Sequence, residues 1–293
     1  MSLIPKVKTG EFQGGFPFVQ IGAGAEPLVI FPPMHDALFS VREFPWYFYA
    51  LFHEFARDYT VTLISRRRNL SVGMSTSDMA EEYAPVLRRE TGKAHVMGVS
   101  LGGMIGQHFA ALEPSLVQKY VNVAAAYQMG PLGLQIARRW IPWARAGKWK
   151  EIYEETMTIT YMRQQKGLPY RLMKSVLKRI LLPLLKNPAD FIIAGQAGML
   201  HDSWETLPRI QVPVLIVGGT HDRFFPEPLF HEMAARIPES RLLIVPGAAH
   251  GVYEEYRRRV VATIRDFLKN ITYVQNSYPL PRTTEGQVWG RVK

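Results

Sequence analysis

The segment His95-Val96-Met97-Gly98-Val99-Ser100-Leu101-Gly102-Gly103-Met104 constrains the fold of this chain more than any other. A short β-branched run passes directly into a helical pattern, Leu101 to Leu112, with no spacer. A strand that bends into a helix so abruptly has room only for minimal side chains beside the bend. Gly98 and Gly102 stand two residues to either side of Ser100. The bend lifts the Ser100 hydroxyl clear of the sheet, at the amino end of a helix that favours negative charge. Ser100 is therefore a candidate nucleophile.

The surrounding chain supplies a sheet for this bend. Apolar runs at Leu28 to Phe31, Val61 to Ser65, His95 to Val99, Tyr120 to Ala124, Val214 to Val217 and Leu242 to Val245 read as strands. Between them lie helical patterns at Phe44 to Arg57, Ser77 to Thr91, Pro228 to Arg236 and Tyr253 to Lys269. Such alternation predicts an α/β fold with a mostly parallel central sheet flanked by helices. Glu11 to Ile21, broken at Gly14-Gly15, reads as an antiparallel hairpin feeding that sheet.

The alternation stops after Ala124 and resumes at Val214. Amphipathic helical patterns fill the interval near Leu132 to Ala146, Trp149 to Gln164, Tyr170 to Leu185 and Pro188 to Leu200. An all-helical block between two strands is expected to cap the carboxyl edge of the sheet. The expected division is a core of residues 1–127 and 208–270, a cap of residues 128–207 and a C-terminal extension of residues 271–293.

Two loops complete the chemistry. Val214 to Val217 leads into Gly218-Gly219-Thr220-His221-Asp222-Arg223, and Leu242 to Val245 leads into Pro246-Gly247-Ala248-Ala249-His250-Gly251. With the Gly98-x-Ser100-x-Gly102 bend, these loops resemble the α/β-hydrolase superfamily over about Phe18 to Leu268. There the order along the chain is serine, acid, histidine. The resemblance implies Ser100 as nucleophile, His250 as general base and acid, and Asp222 as the group that orients the imidazole. Some relatives carry the acid after the strand equivalent to Tyr120 to Ala124. Here Ala125-Ala126-Tyr127 offers no carboxylate. His221 is read as structural, since its neighbour must point at the base.

The oxyanion loop departs from the family pattern. Relatives carry His-Gly where this chain has Pro32-Pro33. Proline has no N–H, but the implied donor is Met34, which keeps one. The second donor is the N–H of Leu101. His35, on the same loop, is a candidate for the substrate pocket, against the plainer reading of a loop histidine. The remaining histidines read as surface or core residues, and no spacing resembles a metal site.

The implied function is a serine hydrolase of esterase or lipase type acting on carboxylic esters of mainly apolar acyl character, needing no cofactor. Carbon–carbon hydrolysis or acyl transfer on the same triad is the alternative within enzymes. A ligand-binding member without turnover is the alternative outside them. Serine at the bend excludes the aspartate-dependent dehalogenases and epoxide hydrolases of this fold.

Composition narrows the rest. The absence of Cys excludes disulfides, thiolate catalysis and cysteine-ligated metals. No signal peptide or membrane span is read, so a cytoplasmic location is expected. The net charge is +10, and +8 of it falls between Met129 and Leu200, where twelve Lys and Arg face four acids. Three of the six Trp lie there too. This is either a solvated outer face or a surface for an anionic membrane or acidic substrate. No nucleic-acid motif accompanies the charge. Oligomeric state is left open.

Overall fold

The structure, a computed structural model, describes residues 7–161 and 188–270 of the 293. The expected helix over Tyr170 to Leu185 and the extension of residues 271–293 lie outside the described residues. Eight strands form one sheet: β1 (Val7–Phe12), β2 (Phe16–Ile21), β3 (Glu26–Phe31), β4 (Tyr59–Ile64), β5 (Ala94–Val99), β6 (Val117–Val123), β7 (Val214–Gly219) and β8 (Ser240–Val245). Their order is β1-β2-β4-β3-β5-β6-β7-β8. The β1–β2 hairpin pairs antiparallel with β4, and β3 to β8 are mutually parallel.

The strands are apolar at consecutive positions because both faces of the sheet are covered. Side-chain alternation sends Val29 and Phe31 to one face, with Val96, Tyr120, Val214 and Ile216. Leu28 and Ile30 go to the other, with Met97, Val121, Leu215 and Val217. Helices α2 (Thr76–Glu90) and α3 (Leu101–Leu112) cover the first face. Helix α1 (Pro45–Phe52) covers the second. A capping box starts α2, with Ser75 and Asp78 satisfying each other's backbone N–H.

Three described helices lie between β6 and β7: α4 (Pro131–Arg145), α5 (Trp149–Thr160) and α6 (Ala189–Leu200). They rest on the carboxyl edge through specific backbone contacts. Gly130 N–H donates to Phe224 O at 2.8 Å, and Gly251 N–H donates to Thr160 O at 2.8 Å. The Asp190 carboxylate, at the start of α6, accepts from Leu70 N at 2.8 Å and Asn69 N at 3.1 Å.

After β7 comes α7 (Glu227–Arg236). The single helix expected over Tyr253 to Lys269 divides at Tyr256, φ −117, into α8 (Val252–Glu255) and α9 (Arg257–Leu268). The break serves two anchors. Tyr253 OH donates to Leu51 O at 2.9 Å, while α9 turns its Val260, Val261, Ile264 and Phe267 stripe onto the sheet. The first helix is also shorter than expected, since the chain past Phe52 coils to enter β4 at Tyr59.

Candidate active site

Four loops meet where β3, β5, β7 and β8 end. Ser100, directly after β5, has φ 53 and ψ −120. Backbone of this kind costs of order 1–3 kcal/mol for a residue with a side chain. Hydrogen bonds on both sides hold it there. Ser100 N donates to Val123 O at 2.8 Å, and Ser100 O accepts from Gly103 N at 2.7 Å. The flanking glycines are required by close approach. A Cβ on Gly98 would lie 2.6 Å from Gly103 Cα, and one on Gly102 would lie 2.8 Å from Pro32 O.

Three residues 28 to 150 positions apart form a continuous relay. His250 Nε2 is 2.9 Å from Ser100 Oγ, and His250 Nδ1 is 2.8 Å from Asp222 Oδ2. Asp222 has no solvent-exposed side-chain surface. Its Oδ1 accepts from Phe224 N at 2.8 Å and Phe225 N at 3.1 Å, which fixes the carboxylate from behind. Burial opposes a charged His250. The charge of Asp222 and its hydrogen bond, with Glu254 adding to them, outweigh burial and raise the histidine above its ordinary value of 6.5. The arrangement can pass a proton from the serine hydroxyl to the imidazole and stabilise the imidazolium. His221 takes no part, its Nδ1 lying 2.8 Å from Thr220 Oγ1.

On the opposite side stands the loop after β3. Met34 begins a short 3-10 turn, Met34–Ala37, whose N-cap Pro33 is extended with ψ −171. The N–H groups of Met34 and Leu101 have no hydrogen-bond partner among the described residues. Helix α6 packs directly on their side chains. A Cβ on Gly195 would lie 3.2 Å from Met34 Cε, and one on Gly198 would lie 3.4 Å from Leu101 Cδ1. Phe224 lies 4.8 Å from the His250 ring, centroid to centroid. The walls near the serine are thus apolar.

His35 follows Met34 and stacks 6.1 Å from Phe48. Burial lowers it to about 4, with Arg66 adding and Asp36 opposing, so it is neutral near pH 7. Its Nε2 is buried without a partner among the described residues.

Sequence reasoning missed three charged groups here. Glu254 sits next to the relay, its carboxyl raised by burial. Arg66 and Asp36 form a buried pair 3.3 Å apart behind the Met34 loop. The run Arg66-Arg67-Arg68, immediately past a strand's carboxyl end, was the available signal for that pair. Among the described residues no cluster of His, Asp and Glu could hold a metal ion, and no helix is long and apolar enough to cross a membrane.

Fold and site together define an α/β hydrolase. Residues 34–263 match the Alpha/beta hydrolase family, and the chain belongs to it. A pimeloyl-[acyl-carrier protein] methyl ester esterase of Aliivibrio salmonicida (strain LFI1238) is 26% identical over 68% of this chain and 77% of its own length. Esterase YbfF of Escherichia coli (strain K12) is 23% identical, over 75% of this chain and 87% of its own. Among solved structures, MGS-M2, an alpha/beta hydrolase enzyme from a Medee basin deep-sea metagenome library, superposes with a TM-score of 0.77. It covers 92% of this chain and 100% of its own at 18% identity, a likeness of fold.

Proposed function

We propose that the protein is a serine hydrolase that cleaves carboxylic esters through an acyl-enzyme. The observation that carries this reading is the unbroken relay Ser100–His250–Asp222 on a strained bend. Ser100 Oγ attacks the ester carbonyl while His250 Nε2 takes the hydroxyl proton. The carbonyl oxygen becomes an oxyanion facing the N–H groups of Met34 and Leu101. The tetrahedral adduct collapses, the alkoxide leaves with the proton held by His250, and the acyl group stays on Ser100. Water then attacks the acyl carbon, passes a proton to His250, and a second collapse frees the acid and restores the hydroxyl. Asp222 keeps Nδ1–H oriented throughout.

The walls of Met34, Leu101 and Phe224 support an acyl group of mainly apolar character, and His35, next to Met34 in the chain, is the candidate for a polar contact to substrate. The esterases among the relatives support the reaction class. The helices of residues 128–207 act as the cap. On it Arg138, Arg145, Lys148 and Lys150 are exposed, which supports weak contact with an anionic membrane surface. Binding to phosphatidylserine vesicles that vanishes at high salt is the expected result. The proposed reaction calls for no cofactor, and a cytoplasmic location belongs to the same proposal.

A fluorophosphonate probe is expected to label the wild type and to leave Ser100→Ala unlabelled. Persistent labelling of the mutant would overturn the assignment. Met34→Pro is a sharper test of the oxyanion site. Proline is tolerated at the first position of a helical turn, and here it deletes the N–H. Turnover is expected to fall about 10²–10³-fold, the usual cost of one oxyanion donor.

A further inference from the structure

The two prolines leave the oxyanion loop with a particular deficit. Pro32 and Pro33 have no N–H to donate, so the only backbone groups available to anchor this stretch are carbonyls. Within the loop only Pro33 O finds a backbone donor, Asp36 N at 3.1 Å.

Arg66, the second residue past β4, supplies both donors. Its Nη1 donates to Pro32 O at 2.9 Å and its Nη2 to Pro33 O at 2.9 Å. The guanidinium side chain is 3% exposed. Asp36 holds it in place from the same loop. Asp36 Oδ2 lies 3.3 Å from Nη2 and accepts from Arg66 N at 3.0 Å. Asp36 Oδ1 accepts from Ser65 Oγ at 2.5 Å, and that oxygen in turn accepts from Val41 N at 2.9 Å. Arg68 Nη1 donates to Asp36 O at 2.5 Å. The Arg66–Asp36 pair is buried and held at both guanidinium Nη atoms and both carboxylate oxygens, with Arg66 Nε left without a partner among the described residues. This makes it a reference for the loop rather than a surface ion pair.

Its importance lies in which peptide it grips. The carbonyl of Pro33 and the N–H of Met34 belong to one peptide unit, and no described peptide is cis. In a trans peptide these two groups point in opposite directions. Arg66 Nη2, with Asp36 N at 3.1 Å, holds the Pro33 oxygen toward the buried side. The Met34 N–H is thereby held facing away from Arg66, free of any partner among the described residues. A charge-assisted hydrogen bond to a carbonyl also polarises its amide, which strengthens the N–H at the other end.

We infer that Arg66 is a positioning residue for the oxyanion site, orienting and strengthening the Met34 amide behind the Pro32-Pro33 pair that stands where relatives carry His-Gly. This rests on the reading that Met34 N–H binds the oxyanion. Arg66 does not touch substrate. It stabilises only the state in which that amide is used most, so its loss lowers kcat and spares KM.

The test is a double-mutant cycle on the full chain, read as kcat and KM for a p-nitrophenyl ester. Arg66→Lys keeps the charge but not the two-pronged grip. A kcat loss of about 10- to 100-fold with KM within about twofold is expected, a fraction of one donor's worth. In the Met34→Pro background, Arg66→Lys is expected to change kcat by less than about threefold, because the amide it serves is gone. An unchanged kcat in Arg66→Lys overturns the inference. So does an equal loss in both backgrounds, which would mark a general structural role. If Met34→Pro is itself fully active while Ser100→Ala is dead, the oxyanion reading fails and the triad stands. Arg66→Gln, which keeps a neutral donor, carries the same cycle if circular dichroism finds Arg66→Lys unfolded.

Discussion

The two ends of the parallel strands are finished in opposite ways. At the carboxyl end the backbone is strained at Ser100, and the N–H groups of Met34 and Leu101 are left open. Near the amino end the polar groups are consumed. Lys119, 8% exposed, donates to Phe267 O at 2.6 Å, Leu268 O at 2.8 Å and Asn270 Oδ1 at 2.6 Å, closing the carbonyl end of α9. Asp58 gathers Lys269 at 2.7 Å and Arg265 at 3.0 Å, and these cations hold its carboxyl below the usual range. His95 Nδ1 and Arg265 Nε, buried without a partner among the described residues, are exceptions there. One set of strands thus serves two purposes. Satisfied groups at one end hold the fold, and open or strained groups at the other are available for chemistry.

This contrast predicts that mutations separate by end. The largest effect is at Ser100. Ser100→Gly is expected to lower kcat by about 10⁶-fold, the scale for deleting a triad nucleophile. It should also raise stability by about 1 kcal/mol, because glycine adopts φ 53 without strain. Thermal unfolding beside an ester assay checks both, and a destabilised Ser100→Gly would break the contrast.

Next is Asp222→Asn, with a loss of about 10⁴-fold from misorientation of the imidazole. The pH profile adds a direction. In the proposed mechanism activity needs neutral His250, whose pKa is raised above 6.5 by Asp222 against the pull of burial. Wild-type kcat/KM therefore falls as pH drops through that raised value. In Asp222→Asn this limb should move to lower pH, and an unmoved limb would show that Asp222 does not set the histidine's charge.

Lys119→Met probes the other end. It leaves the α9 carbonyls without their donor, and a stability loss of about 2–3 kcal/mol is expected with kcat within about twofold. Urea unfolding and the same ester assay suffice. A large kcat loss at full stability would sink the separation of roles.

The most gradual expected effect, with no change in kcat, is the acid sensitivity of the fold. Burial lowers His95 to about 4 and depresses His108 and His201, with neighbouring cations or histidines adding. These groups stay neutral when folded but take up protons when unfolded as pH falls below 6.5. Stability is complete above that value and declines beneath it, His95 alone contributing about 2 kcal/mol by about pH 5. His201 is a sensitive member, since Thr76 Oγ1 at 2.8 Å and Gln107 Oε1 at 3.2 Å tie it between α2 and α3 just past α6. A stability plateau from pH 7 to 5 would contradict this.

What was legible in the sequence was local. The bend at Gly98-x-Ser100-x-Gly102 is written in adjacent residues, because a strand-to-helix turn selects small side chains within its own span. The strand alternation and the helical block after Ala124 are equally local patterns of period. Asp222 and His250 came from the resemblance of their loops to the α/β-hydrolase superfamily, and each stands past a strand of the parallel sheet, which carries both to one edge. Tertiary structure alone decided what lay behind the oxyanion loop. Pro32-Pro33 announces a missing donor but cannot say which of the chain's 35 Lys and Arg supplies it. Arg66 reaches Pro32 across 34 positions, and Asp190 seats α6 on Leu70 across 120. Pairings of that range carry no periodic or spacing signature, since any charged residue can meet any other once the chain has folded. They are settled by which loops the sheet brings into contact.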